Sequence, residues 1–203
     1  MSVLNHKPFP DFKDYPAPPE VRFPGDRREA QRIHGEVQSP GLRYRVRLAW
    51  DGARLTGRLG GVIFGEKLYL ELHQGELLGS LSSGLRAFAL QARLEGKHLQ
   101  LRRVGAQHSS SASLELSAGS ASGWVYLETC GSQRESSENR VQPVEVEFGP
   151  TRLLARIGSD QQVTLHHPGF PAWVLAAAAL VADLAARDAW RVLLDSYAGW
   201  AEA

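Results

Sequence analysis

The chain has 203 residues, enough for one domain with a sizeable core, and a formal net charge of +1. That near-neutral balance excludes a global field that would draw the protein to nucleic acid or to acidic partners. The single cysteine, Cys130, excludes an internal disulfide and a Cys-rich zinc site and fits a reducing, cytoplasmic compartment.

Residues 1–40 carry seven of the eleven prolines and only scattered apolar side chains. Proline fixes φ and removes a donor, so this segment is expected as an extended leader. Its start, "SVLNHKPFPDFKDYP", has no apolar stretch and no small-residue cleavage site, so no secretory signal is expected. Residues 41–203 are expected as a single β-barrel domain.

From Gly41 the pattern becomes a two-residue alternation. In "LRYRVRLAW", Leu42, Tyr44, Val46, Leu48 and Trp50 share one face of a strand, and Arg43, Arg45 and Arg47 share the other. Asp51–Gly52 supplies a tight turn, and "ARLTGRL" returns with Arg54 and Arg58. "KLYLEL" and "ELLGSLSS" follow, then two longer strands around Glu95–Gly96–Lys97. "HSSSASLEL" begins as a polar loop, "ASLELSAGSASGWVYLETC" turns across Ala118–Gly123, and "GSQRESSEN" is another polar loop. "VQPVEVEFG", "TRLLARIG" and "QQVTLHH" add three more strands. Roughly twelve short strands with turn signals every eight to twelve residues have the rhythm of a sandwich or barrel.

The last segment breaks that rhythm. Pro171 suits a first helical turn, and Ala172–Ala182 contains no polar side chain. The apolar run is too short to cross a bilayer, which takes roughly 20 residues, and Asp183, Arg187 and Asp188 follow at once. A helix resting on one sheet needs a single apolar face; this one starts apolar on all faces and must be enclosed. The expectation is therefore a mainly β, closed or near-closed antiparallel barrel. A long hydrophobic C-terminal helix, about 171–198, passes through its interior, and its charged second half emerges to cap the mouth.

The stretches "WDGARLTGRLGGVIFGEKLYLEL", "LLGSL" and "WVLAAAALVADLAARD" resemble the glycine-punctuated strands and closing helix of the tubby C-terminal-like fold. That fold is shared by tubby domains, LURP-one-related proteins and phospholipid scramblases. The resemblance covers about residues 36–190 and implies a non-enzymatic module. Such a module engages anionic phospholipid headgroups peripherally at a membrane, or serves as an adaptor for another protein.

Candidate chemistry is sparse. None of the seven histidines forms an H-x-x-x-H or H-E-x-x-H pair, so no metal site is read from spacing. The glycine cluster "GRLGGVIFG" precedes no helix, so neither a Walker loop nor a dinucleotide fingerprint applies, and no cofactor is expected. The most suggestive group is basic: Arg43, Arg45 and Arg47 outward on one strand, with Arg54 and Arg58 on its partner, form a candidate anion-binding face. Aromatics are not interleaved with them, which gives no specific nucleic-acid signal. The alternatives are a lipocalin-like carrier of a small apolar ligand and a metal-dependent enzyme built from dispersed histidines.

Overall fold

The computed structural model describes residues 31–61, 65–84, 86–106, 108–129 and 140–201. The leader up to residue 30, Cys130 and the polar loop 131–139 lie outside the described residues.

Twelve strands run in chain order: β1 (Gln31–Ser39), β2 (Leu42–Trp50), β3 (Arg54–Leu59), β4 (Glu66–His73), β5 (Glu76–Ser82) and β6 (Ala87–Glu95). They continue as β7 (His98–Val104), β8 (His108–Ser117), β9 (Ser120–Thr129), β10 (Arg140–Phe148), β11 (Arg152–Ile157) and β12 (Gln161–His166). Each pairs antiparallel with its neighbours in sequence, and β12 pairs back onto β1, so the sheet closes into a barrel with no free edge. The two-residue alternation is what builds the wall. On β2, Tyr44, Val46, Leu48 and Trp50 are buried inward while Arg43, Arg45 and Arg47 are exposed.

Glycines punctuate the inner wall where strands coil tightly. At Gly35 and Gly79 a Cβ atom would collide with the backbone carbonyls of Thr164 and Tyr69 on the neighbouring strand. Only a residue without a side chain fits there.

After β12 the chain turns through His167–Pro171 into α1 (Ala172–Ala201). From Val174 to Ala186 every residue of α1 is at most 2% exposed, over about 20 Å of helix covering every face. The helix meets β1, β2, β3 and β12, and also β7, which lies on the opposite side of the closed strand order. It therefore runs through the barrel interior. Four alanines, Ala176–Ala179, keep it slender where the surrounding leucines and valines fill the lumen.

Three expectations need correction. Residues 31–39, read as part of the leader, are strand β1; the boundary at residue 40 falls in the β1–β2 turn, where Gly41 takes φ +81°. No proline falls within 31–39, and β1 is the strand that closes the barrel against β12. The serines after His108 are strand, not loop: Ser110 is buried inward, and the turn into β9 is confined to Ala118–Gly119. Finally, the charged part of α1 does not begin at the mouth. Asp183 and Asp188 are 0% and 3% exposed, so charge enters the barrel itself.

Candidate functional site

Burying a carboxylate is costly unless it is paired and hydrogen-bonded. The partner for Asp188 comes from the wall. Arg103 occupies an inward position of β7, after Leu99 and Leu101, and is 2% exposed. Its guanidinium donates to Asp188 Oδ2 at 2.6 Å and Oδ1 at 3.4 Å, to the Leu184 carbonyl at 3.3 Å and to Ser110 Oγ at 3.2 Å. Its Cζ lies 4.5 Å from the centre of the Phe88 ring.

One helical turn deeper, Arg187 Nε donates to Asp183 Oδ2 at 2.7 Å, while its Nη2 donates to Gln142 Oε1 on β10. One ion pair to β7 and one hydrogen bond from a helix-internal ion pair to β10 thus fasten α1 to the wall. Burial still pushes the Asp183 carboxyl above the usual carboxylate range, with Arg187 opposing. Burial, then the nearby Asp188 charge, pushes Glu66 up to about 7. Burial likewise raises the Tyr44 hydroxyl, with the charges of Glu66 and Asp188 adding to it.

This interior cluster fastens the helix to the wall. The void beside it, between α1 and the β7–β8 hairpin, has a volume of about 10 Å3, room for one water molecule at most. The helix occupies the lumen that a lipocalin-like carrier keeps open for its ligand. Among the described residues no three His, Cys, Asp or Glu side chains gather as a metal site requires. His166 and His167 point to opposite sides of the wall, the first exposed and the second buried.

The outer arginine face assembles in part. Arg43, Arg45 and Arg47 are exposed on β2, and Arg47 lies directly opposite Arg58 on β3. Like charges facing each other across strands are destabilising in isolation. Arg43, Arg45 and Arg47 make no ion pair within the described residues. Arg54 is engaged elsewhere: it sits opposite Glu71 on β4, and its Nη2 lies 3.1 Å from Glu71 Oε1. Tyr69 Oη also donates to Glu71, at 2.9 Å, and these bonds hold the carboxyl below its ordinary range. The outward group is therefore Arg43, Arg45 and Arg47 on β2, with Arg58 opposite Arg47, while Arg54 is paired with Glu71.

Sequence reading missed Arg103. The signal was present: an arginine at the inward phase of an alternating strand that runs Leu99, Leu101, Arg103. Its partner Asp188, 85 residues away on the helix, is not legible from spacing.

No helix is long and apolar enough to cross a membrane among the described residues. No family model matches the chain, and no curated protein matches it.

Proposed function

We propose that the protein is a non-enzymatic binding module of the tubby-like kind, cytoplasmic and peripheral to a membrane, whose arginine face docks on anionic phospholipid headgroups. The twelve-strand barrel around a buried hydrophobic helix supports the tubby-like reading. One observation carries the binding reading: Arg43, Arg45 and Arg47 stand exposed in one row on β2 and make no ion pair among the described residues, whereas Arg54, Arg93 and Arg156 have carboxylate partners. Guanidinium groups are planar donors suited to bidentate phosphate contact, so an anionic ligand relieves the repulsion within the face.

The test is co-sedimentation of the full chain with vesicles of phosphatidylglycerol or of phosphatidylcholine across a salt series. Binding only to the anionic vesicles, weakened by salt and abolished by joint replacement of Arg43, Arg45 and Arg47 with Ala, is the expected outcome. Binding that ignores both salt and those substitutions removes the reading.

A separate observation favours the adaptor alternative. Trp124, Tyr126 and Val141 are 49%, 39% and 46% exposed on the outer face of β9 and β10, with Tyr126 directly opposite Val141 and Trp124 opposite Pro143. Exposed aromatics in one patch are enriched at protein interfaces. Trp124→Ser and Tyr126→Ser leave vesicle binding intact if that patch serves a protein partner, and weaken it if the patch meets lipid.

A further inference from the structure

The arginine face extends beyond β3. Lys67 lies opposite Arg58, His34 opposite Arg47, His166 opposite His34, and Arg152 opposite His166. All six side chains are exposed. They form one row, a single basic or imidazole group per strand, across β11, β12, β1, β2, β3 and β4, which are consecutive in the closed order. With strands about 4.8 Å apart, the row is roughly 24 Å long at the backbone. Arg47, Lys67 and Arg152 make no ion pair within the described residues. At its middle the rings of His34 and His166 stack with centroids 5.3 Å apart. The acid on β1, Glu36, lies directly opposite Arg45, beside the row and not in it, and accepts from Gln38.

Six of the twelve strands make half the barrel's circumference. A flat bilayer laid against a cylinder touches only a few neighbouring strands, so it meets part of the row and never all of it. A flexible polyanion can follow the whole curve. The row holds no phenyl, phenol or indole ring on which bases would stack, which disfavours single-stranded nucleic acid. Guanidinium and ammonium groups on three adjacent strands, with two imidazoles and a further guanidinium continuing the line, suit a chain of high charge density made of phosphates alone.

We propose that the row Arg152–His166–His34–Arg47–Arg58–Lys67 seats a long, flexible phosphate chain of the inorganic polyphosphate type, wrapped around half the barrel. This rests on the reading that the arginine face binds phosphate, and it adds the ligand's length and shape.

The test is a titration of the full chain with inorganic polyphosphate longer than the row, with tripolyphosphate, and with oligothymidylate of matched charge. The long chain is expected to bind about tenfold or more tightly than tripolyphosphate, because linked contacts act at high effective concentration. Arg152→Gln and Lys67→Gln, at the two ends of the row, each weaken the long chain severalfold, and Arg152→Gln, three strands from Arg47, weakens tripolyphosphate much less than it weakens the long chain; melting curves confirm that both variants fold. Equal affinity for long and short chains, or end variants that leave the long chain untouched, overturns the inference. Oligothymidylate binding more tightly than polyphosphate also overturns it, in favour of nucleic acid. If tripolyphosphate does not bind, or binds as well after Arg47→Ala and Arg58→Ala, the arginine-face reading fails and takes this one with it.

Discussion

Arg103 inside the barrel and Arg47 outside it are the same residue type under opposite constraints. Arg103 is 2% exposed, and two carboxylate oxygens, a helix carbonyl and a serine hydroxyl surround its guanidinium. Arg47 is exposed opposite Arg58 and has no ion pair among the described residues. An interior charge without partners costs several kcal/mol, so every contact of Arg103 serves the fold. An exterior charge without partners costs little, so Arg47 can be left ready for a ligand. The inner and outer faces of the same wall thus place opposite demands on an arginine.

The comparison breaks first, if at all, at Arg103. Arg103→Ala leaves Asp188 buried and unpaired, and denaturant unfolding is expected to show a loss of about 3–5 kcal/mol. The double variant Arg103→Met with Asp188→Leu is expected to recover much of that, because a buried ion pair contributes little over a packed apolar pair. No recovery would mean that the pair does more than fasten the helix.

The next effect depends on pH. Glu66 has its folded pKa raised from 4.5 to about 7, so the folded state holds a proton that the unfolded chain has released. Its contribution is fully present below pH 4.5, declines as pH rises towards 7, and amounts to at most about 3 kcal/mol. Asp183, also raised, acts in the same direction. Unfolding free energies of the wild type and Glu66→Gln, compared at pH 5 and pH 8, are expected to show the wild type losing more stability on going to the higher pH. Parallel changes in the two proteins would place the effect elsewhere.

Packing of the rod itself gives a smaller change. Ala178 is fully buried in the lumen, and Ala178→Leu adds volume that the wall must absorb, at about 1–3 kcal/mol. A thermal melt measures it; a neutral outcome would reveal slack between helix and wall. Smallest of all is Arg47→Ala, expected to shift stability by no more than about 0.5 kcal/mol while lowering anion binding. A large stability loss there would erase the contrast with Arg103.

Much of the fold was legible because two periodicities are local. The alternation in "LRYRVRLAW" marks β2 from Leu42 to Trp50, and the unbroken apolar run after Pro171 marks a helix with no face for water. β1 was not legible: "QRIHGEVQS" has only Ile33 and Val37 as strong inward residues, with Gly35 between them where a side chain would strike Thr164. That weak pattern is a consequence of close strand contact, visible only once β12 is alongside. Of the candidate face, Arg43, Arg45 and Arg47 followed from alternation, whereas the removal of Arg54 by Glu71 depended on the β3–β4 register.

The sequence by itself determined that strands alternate, that they are many and short, and that the terminal helix must be enclosed, since each follows from which side chains tolerate water. Tertiary structure alone decided which groups meet: Arg103 with Asp188, Arg54 with Glu71, and a line of basic and imidazole side chains from Arg152 to Lys67. Electrostatic energy depends on distance in space, and the closure of β12 onto β1 sets those distances.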